Sequence, residues 1–259
     1  MAERGVPPAY ETERQDGPLP DGLYVLTNNM SRTVLDLSGG NSGGGTRCAG
    51  FSRNINDSID HQLWIVKHDD SNNMYTLKNL RGGTFLDLQA GKRENGSQVT
   101  GYPRSLADGS RRNQEWRIVE QAPDQHTSGK KPDSEMSWGS HKSRYRIQCS
   151  ATNTYLEISG GNTSNGTNAT CSARADNGDH QLWSLERVSR TTREIKAILE
   201  SWKPDLLNRL LQPYGDEAEY FVLPYELRKT IWDGTRLQRQ TVRKHVFDYD
   251  DFVIKSKDA

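Results

Sequence analysis

The sequence has 259 residues, which allows one large domain or a medium-sized domain followed by a smaller one. Its 34 basic residues balance its 34 acidic residues, so overall charge does not favour nucleic acid as a partner. Hydrophobic residues make up 32% of the chain and mean hydropathy is -0.88, which is typical of short strands joined by many turns and low for one deep core.

The first 20 residues are interpreted as a flexible N-terminal extension. They carry acidic residues and prolines where a secretory signal needs a continuous apolar stretch. No apolar segment long enough to span a membrane follows them. We therefore expect no membrane insertion and a cytoplasmic location, or export by an unconventional route.

The chain contains three cysteines, Cys48, Cys149 and Cys171. Their number is odd, and none belongs to a C-x-x-C pair or lies near a histidine cluster with metal-ligand spacing. We expect neither a zinc site nor a full disulfide framework, and no cofactor. Three N-x-S/T triplets begin at Asn162, Asn165 and Asn168. Without a visible signal peptide, we interpret these asparagines as loop residues and not as glycan acceptors.

A 17-residue pattern occurs three times without a gap. The copies are Leu35–Phe51, Leu86–Tyr102 and Leu156–Ser172. Each copy is followed by a Q-x-W element, in HQLW at 61–64, NQEW at 113–116 and HQLW at 180–183. A match of this length, repeated three times with the same downstream mark, indicates three equivalent structural units.

Alternating apolar residues within each unit predict short strands bounded by Gly and Asn turns, such as YVLTN and TVLDL in the first unit. About four strands per unit would give roughly a dozen. The Q-x-W elements are 52 residues apart between the first two units and 67 apart between the second and third. We therefore expect an insert at about 121–143, whose charged and Gly/Pro/Ser-rich composition predicts a mobile surface loop.

The Q-x-W elements resemble the signature of the ricin-B lectin family, which folds as a β-trefoil with pseudo-threefold symmetry. The resemblance covers about Leu23 to Glu186 and implies an all-β β-trefoil over residues 21–188. In that family the tryptophan packs in the shared core and the glutamine braces the neighbouring loop. We therefore expect a structural role for Trp64, Trp116 and Trp183 and for the core residues Leu35, Leu86 and Leu156.

Polar and aromatic residues between those core positions are the candidate ligand contacts. A pyranose offers hydroxyls and an apolar C–H face, so a shallow sugar site needs a carboxylate acceptor and a ring for stacking. In the first repeat these are Asp36 and Phe51, with His61 or Gln62 reaching a further hydroxyl. The corresponding residues of the second repeat are Asp87, Tyr102, Asn113 and Gln114. These sets fill positions that resemble the family's sugar contacts.

The third repeat departs from this pattern. Its acidic residue is Glu157, and its aromatic position holds Ser172, while His180 and Gln181 remain. We predict two competent sites and a weak or lost third site. An alternative is that Asp36 and Asp87 only cap the turns that follow them.

After Trp183 the composition changes to helical periodicity, which predicts a small α+β domain over residues 189–259. We expect an amphipathic helix pair or one kinked helix over 193–211, interrupted at Pro204. A short strand at 220–224 and a helix at 225–234 follow. The apolar helix faces need a partner, which could be the trefoil, the segment itself or a second copy of the chain.

This segment looks like the front part of the C-terminal domain of the chimerolectins typified by the Marasmius oreades agglutinin. In that group a ricin-B trefoil is joined to a papain-like domain that dimerises and can act as a calcium-dependent cysteine protease. The resemblance lies in EIKAIL, AEYFVLP and FDYDDF. It places Tyr249 where the family has its nucleophilic cysteine, and no cysteine lies beyond Cys171. We therefore expect a remnant without catalysis.

Three aspartates around this tyrosine, Asp248, Asp250 and Asp251, could hold calcium, but such a run is more often a solvated turn or helix start. The leading hypothesis is a non-enzymatic lectin for galactose or N-acetylgalactosamine glycans, the sugar following from the resemblance alone, with a homodimer supplying multivalency. Alternatives are a lectin-targeted cysteine-protease-like enzyme or toxin, and a trefoil that serves as an interaction or inhibitor scaffold.

Overall fold

A computed structural model describes residues 19–54, 59–106, 108–121, 143–176, 178–202, 215–216 and 218–221. The strands of the repeats are β1 Gly22–Asn28, β2 Val34–Leu37, β3 Thr46–Phe51, β4 Trp64–Asp69, β5 Met74–Asn79, β6 Phe85–Leu88, β7 Ser97–Tyr102, β8 Trp116–Gln121, β9 Arg144–Cys149, β10 Tyr155–Ile158, β11 Thr167–Ser172 and β12 Trp183–Arg187. A short helix, α1, spans Asp108–Arg111. These twelve strands confirm the expectation of about four per repeat.

Some predicted features lie outside the described residues. They are most of the N-terminal extension, the insert except its two end residues, the helix at 225–234, Tyr249 and the aspartates Asp248, Asp250 and Asp251. Gln121 is the last residue of β8, and the bounds of the insert stay a prediction.

Six strands form a closed antiparallel barrel. β1 pairs with β4 and β12, β5 pairs with β4 and β8, and β9 pairs with β8 and β12. The first and last barrel strands share a five-residue register from Tyr24 opposite Arg187 to Asn28 opposite Trp183. Closure leaves no unpaired edge, so strands of only five to seven residues are hydrogen-bonded on both sides.

The other six strands form three hairpins across one end of the barrel. These are β2–β3, β6–β7 and β10–β11, and the second strands β3, β7 and β11 pair with one another. Equivalent loop hydrogen bonds join successive repeats: the N–H groups of Gly45, Gly96 and Gly166 donate to carbonyls of Gly101, Cys171 and Gly50 at 2.9, 3.0 and 2.9 Å. A six-stranded barrel capped by three hairpins is a β-trefoil, as the repeats predict.

The core lies on the pseudo-threefold axis, where the three tryptophans are fully buried. The indole N–H groups of Trp64, Trp116 and Trp183 donate to the carbonyls of Leu35, Leu86 and Leu156 at 3.0, 3.0 and 2.9 Å. These bonds tie the start of each fourth strand to its own hairpin. The structural role expected for the tryptophans is confirmed, since each ring fills the core and satisfies its polar atom.

The described part of the C-terminal segment packs directly on the barrel. It contains β13 Ser189–Thr191, α2 Thr192–Trp202 and β14 Glu219–Phe221, and the two strands are antiparallel partners. Thr191 and Glu194 form a reciprocal capping box at the start of α2, and Glu194 also pairs with Arg187 of β12. The described residues therefore contain the first part of the expected helix, and residues 203–211 of that prediction, with the interruption at Pro204, lie outside them. Among the described helices, none is long and apolar enough to cross a bilayer.

Candidate functional site

Each hairpin carries one acidic side chain on the face opposite to the core. In β2, Leu35 and Leu37 point into the core and Asp36 points to the other face, as strand alternation requires. Asp36 lies opposite Ala49, Asp87 opposite Thr100 and Glu157 opposite Thr170, so the three hairpins share one register. The 17-residue pattern therefore produces three equivalent positions on the hairpin faces that point away from the core.

The glutamines of the Q-x-W elements brace these positions. The side-chain N–H groups of Gln62, Gln114 and Gln181 donate to the carbonyls of Ser52, Pro103 and Ala173 at 3.1, 2.9 and 2.8 Å. Their amide oxygens accept from the N–H groups of Asn54, Ser105 and Ala175 at 2.9, 3.0 and 2.9 Å. A second N–H of Gln62 donates to Asp36 Oδ2 at 3.0 Å. The glutamines are buried, and they fix both the loop and the carboxylate.

The first repeat forms an open cleft of about 440 Å³ that brings together the four residues predicted there. Its lining comprises Asp36, Ser38, Gly39, Arg47, Phe51, Ser52, Arg53, Asn54, His61 and Gln62. His61 Nε2 lies 3.2 Å from Asp36 Oδ2. Burial raises the pKa of Asp36, and the hydrogen bond from Gln62 and the proximity of His61 offset part of that rise. The cleft thus holds a carboxylate acceptor beside an aromatic ring.

The second repeat also has a carboxylate, Asp87, and a ring, Tyr102, but Asn113 takes the place of the histidine. Tyr102 is 50% exposed at the end of β7. Asn113 is almost fully buried, and its Oδ1 would lie 2.7 Å from a Cβ at Gly91. Burial raises the pKa of Asp87 to about 6, although a hydrogen bond from Gln114 lowers it in part. Ionised Asp87 therefore lowers the free energy of unfolding.

We predict that Asp87→Asn stabilises the protein at alkaline pH. With a pKa of about 6, folded Asp87 keeps a proton that the unfolded chain releases near pH 4, so the free energy of unfolding falls as pH rises between these values. Asparagine stays neutral and still accepts from Gln114. The variant should gain on the order of 2 kcal/mol at pH 8 and almost nothing at pH 4, as measured by urea denaturation.

The control for this stability series is Asp176→Asn, which changes a carboxylate whose side chain is 94% exposed. This control should leave the difference between pH 4 and pH 8 unchanged. Parallel pH profiles for wild type and Asp87→Asn would show that burial of Asp87 does not weaken the fold.

In the third repeat both carboxylate oxygens of Glu157 accept hydrogen bonds from within the protein. Glu157 Oε1 accepts from the hydroxyls of Ser172 at 2.8 Å and Thr170 at 3.3 Å, and Oε2 accepts from Gln181 at 3.0 Å. His180 Nε2 lies 3.4 Å from Glu157 Oε2. The extra methylene and the serine at the aromatic position thus convert the site into an internal hydrogen-bond cluster. This geometry supports the prediction of a weak or lost third site.

Neither aspartate acts as a turn cap in the described residues. The N-cap residues of the 3-10 turns that follow β2 and β6 are Leu37 and Leu88, which make no side-chain cap hydrogen bond. The hydrogen bonds that affect the carboxyl groups of Asp36 and Asp87 come from Gln62 and Gln114, and not from backbone N–H groups of those turns. The turn-cap alternative is therefore wrong for both residues, and their burial needs another reason.

Each candidate site is completed by the glycine-rich loop of another repeat, which the linear pattern does not reveal. A Cβ at Gly166 would lie 3.7 Å from the ring of Phe51, and a Cβ at Gly44 would lie 3.0 Å from the ring of Tyr102. Asn165 Oδ1 accepts from the N–H of Ser52 at 2.7 Å. The first site thus combines the first and third repeats, and the second site combines the second and first.

The side chains of the three N-x-S/T asparagines all accept hydrogen bonds, two of them from the first repeat. Asn162 Oδ1 accepts from the N–H of Ser164 at 2.8 Å, and Asn165 Oδ1 accepts from Ser52 of the first repeat. Asn168 Oδ1 accepts from a guanidinium N–H of Arg47 at 3.2 Å. Asn162 and Asn165 are therefore loop residues, whereas Asn168 belongs to β11 and lies opposite Ala49, so the loop interpretation is wrong for Asn168.

Two buried asparagines position the histidines, and sequence reasoning missed them. The side-chain N–H of Asn28 donates to the carbonyl of His180 at 2.7 Å, and that of Asn79 donates to the carbonyl of His61 at 2.9 Å. The equivalent residue Cys149 has only long thiol contacts, at 3.9 Å to the carbonyl of Asn113. The sequence signal for this role is that an asparagine ends the first strand of both the first and the second repeat, as Asn28 and Asn79.

Among the described residues, no group of three or more His, Cys, Asp or Glu side chains has the geometry of a metal site. Cys48, Cys149 and Cys171 are buried free thiols, and burial raises the pKa of each. None of them is an accessible thiolate.

The barrel, its three hairpins and their three surface positions define a β-trefoil with quasi-equivalent sites. A family model described as ricin-type beta-trefoil lectin domain-like matches residues 60–128 and 134–200, more than half of the chain. The chain therefore belongs to the ricin-type β-trefoil lectin family. A second model, described as agglutinin C-terminal, matches residues 220–259. No curated protein sequence matches the chain.

Solved structures share the fold. The Polyporus squamosus lectin, bound to Neu5Aca2-6Galb1-4GlcNAc, is 20% identical with a TM-score of 0.59 over 93% of this chain and 75% of that chain. A complex of PSL1a with E64 is 19% identical with a TM-score of 0.58 over the same shares. The Rhizoctonia solani agglutinin is 23% identical with a TM-score of 0.48 over 65% of this chain and 96% of that chain. The first two likenesses bear on the fold alone.

Proposed function

We propose that the chain is a carbohydrate-binding lectin whose first and second repeats each bind one sugar residue. The observation that carries this proposal is a pair of buried carboxylates, Asp36 and Asp87, whose pKa values burial raises. Each aspartate lies on the outer face of a hairpin that also carries an aromatic residue. A fold gains nothing from an incompletely paired buried carboxylate, and perturbed carboxyls of this kind concentrate at functional sites.

The third repeat supplies an internal comparison. At the same position Glu157 has all its charge satisfied by Ser172, Thr170 and Gln181, so the fold can accommodate an acid there without leaving it for a ligand. Asp36 and Asp87 are one methylene shorter, and the position of Ser172 is occupied by Phe51 or Tyr102 in their hairpins. Sugar hydroxyls would supply the missing donors, and the ring would cover the apolar face of the pyranose.

The other predicted contacts take different parts in this proposal. His61 lies 3.2 Å from the Asp36 oxygen that also accepts from Gln62, so it orients Asp36 or donates to a ligand hydroxyl directly. Gln62, Gln114 and Gln181 enter as positioning residues because their amide atoms already have partners. Asn113 is nearly buried and contributes less to the second site than His61 does to the first.

Galactose or N-acetylgalactosamine is the sugar we propose, from the resemblance to the ricin-B family. The epitope bound by the Polyporus squamosus lectin contains galactose, which is consistent with this choice. The test is a glycan array followed by titration calorimetry with a galactoside. We expect binding with a Kd on the order of 0.1 to 1 mM per site, and no binding to any glycan would overturn the proposal.

Weak single sites need multivalency to retain a cell-surface glycan. Two sites on one trefoil already provide some avidity, and we propose that the C-terminal segment adds more by forming a homodimer. Size-exclusion chromatography with light scattering should give a mass near twice the 29.3 kDa of one chain. A monomer at all concentrations would contradict this part of the proposal.

We propose that the chain has no cysteine protease activity. Such catalysis needs a thiolate that a substrate can reach. The three cysteines of the sequence lie in the trefoil core, each 0% exposed, where burial raises the pKa of the thiol. This argument holds independently of Tyr249, which lies outside the described residues.

A further inference from the structure

The first cleft differs from the other two positions in its charge. Two arginines, Arg47 and Arg53, line it together with Asp36 and His61. Arg53 forms a bidentate pair with Glu186 of β12, at 2.6 and 3.3 Å, so its charge is balanced within the protein. Among the described residues, Arg47 has no carboxylate partner, and its hydrogen bond goes to the neutral amide oxygen of Asn168 at 3.2 Å.

Arg47 lies where it can reach a substituent of a bound sugar. Arg47, Ala49 and Phe51 alternate on the same face of β3, and Asp36 is the cross-strand partner of Ala49. Arg47 and Phe51 therefore flank the carboxylate, each roughly 7 Å along the strand from the position opposite it. A pyranose that bonds to Asp36 and stacks on Phe51 would place a neighbouring group beside the guanidinium.

The equivalent residues of the other repeats carry no charge. Gln98 turns its amide to the backbone and donates to the carbonyls of Val99 and Ala169 at 2.9 and 3.0 Å. Asn168 accepts the bond from Arg47. A positive charge that lines the cleft is thus a property of the first site, and the threefold scaffold does not require it.

Resting on the proposed lectin function, we propose that the first site prefers a galactoside that carries an anionic group, and that Arg47 determines this preference. A guanidinium presents a planar fork of donors that matches a carboxylate or a sulfate ester. Its charge remains effective in the open cleft because no carboxylate of the described residues forms an ion pair with it. The second site, with Gln98 in this position, would bind neutral galactosides without such a preference.

The test uses the full chain with Asp87→Asn, so that the first site dominates binding. Three ligands are titrated by calorimetry: N-acetyllactosamine, the same disaccharide with a sulfate ester, and the same disaccharide with a terminal sialic acid. We expect at least one anionic ligand to bind about tenfold more tightly than the neutral one at low salt. High salt should reduce the difference because the guanidinium is exposed. The anionic ligand that binds more tightly shows whether Arg47 prefers a sulfate ester or a carboxylate.

Arg47→Gln, which introduces the residue of the second repeat, should remove the preference and leave the affinity for N-acetyllactosamine within about twofold. Arg117→Gln makes the same change of charge on the exposed face of β8 and should keep the preference. Equal affinities for all three ligands before mutation would overturn the inference and leave the lectin function intact. A similar loss for neutral and anionic ligands in Arg47→Gln would also overturn it. No binding of any ligand would remove both proposals.

Discussion

Asp36→Asn combined with Asp87→Asn is expected to abolish detectable glycan binding while the protein stays folded. Each substitution replaces a charged double acceptor by an amide with one acceptor oxygen, and each lost charge-assisted bond costs about 1.5 to 3 kcal/mol, or roughly 10- to 100-fold in affinity. Sites with a Kd on the order of 0.1 to 1 mM would then fall below detection. Asparagine keeps the acceptor for Gln62 at the first site and for Gln114 at the second.

The matched control for this double variant is Glu157→Gln, which makes the same change at the third hairpin. Because Glu157 already accepts from Ser172, Thr170 and Gln181, we expect it to change glycan affinity by less than about twofold. Circular dichroism and the urea midpoint confirm folding of both proteins. If the double variant binds glycans as wild type does, the site assignment is wrong. If Glu157→Gln alone removes binding, the third hairpin is the working site.

Trp183→Ala should strongly destabilise the protein. The ring is 0% exposed in the core, and its N–H donates to the carbonyl of Leu156 at 2.9 Å. Trp183 also lies opposite Asn28, where the last barrel strand meets the first. Removing a buried tryptophan costs about 3 to 5 kcal/mol, a large share of a typical stability of about 5 to 15 kcal/mol.

The effect of Trp183→Ala is measured by urea denaturation, with Trp183→Phe as the graded control. Phenylalanine retains most of the apolar volume but leaves the carbonyl of Leu156 without its donor, so we expect a loss of about 1 to 2 kcal/mol. The equivalent changes at Trp64 and Trp116 should follow the same order, because their bonds and burial are the same. A loss below about 1 kcal/mol for Trp183→Ala would contradict a central core role.

The fold could be predicted from the sequence because its signals are local and repeated. Strand alternation, the threefold pattern and the Q-x-W elements all depend on residues close in the chain. They were sufficient to place the tryptophans in the core, and they located both the carboxylates and the rings. The departure at Glu157 and Ser172 was also visible, since a changed residue stands out against two unchanged copies. The start of helix α2 follows from local capping in the same way.

Contacts between repeats could not be predicted, since they join residues far apart in the chain. Asn165 reaches Ser52 across 113 positions, and Asn28 reaches His180 across 152. No periodicity within one repeat records which neighbour's loop will complete its site, because that depends on how the barrel closes.

The charges of the three sites were likewise decided by tertiary structure. Arg47 and Arg53 are both arginines near the first aromatic position, yet only Arg53 has a carboxylate partner, Glu186, among the described residues. The raised pKa of Asp87 arises from burial, which the residue type does not reveal. The sequence by itself thus determined a β-trefoil with three marked hairpins. Only the packing of those hairpins decided which carboxylates remain available to a ligand, because desolvation and hydrogen-bond partners come from distant segments.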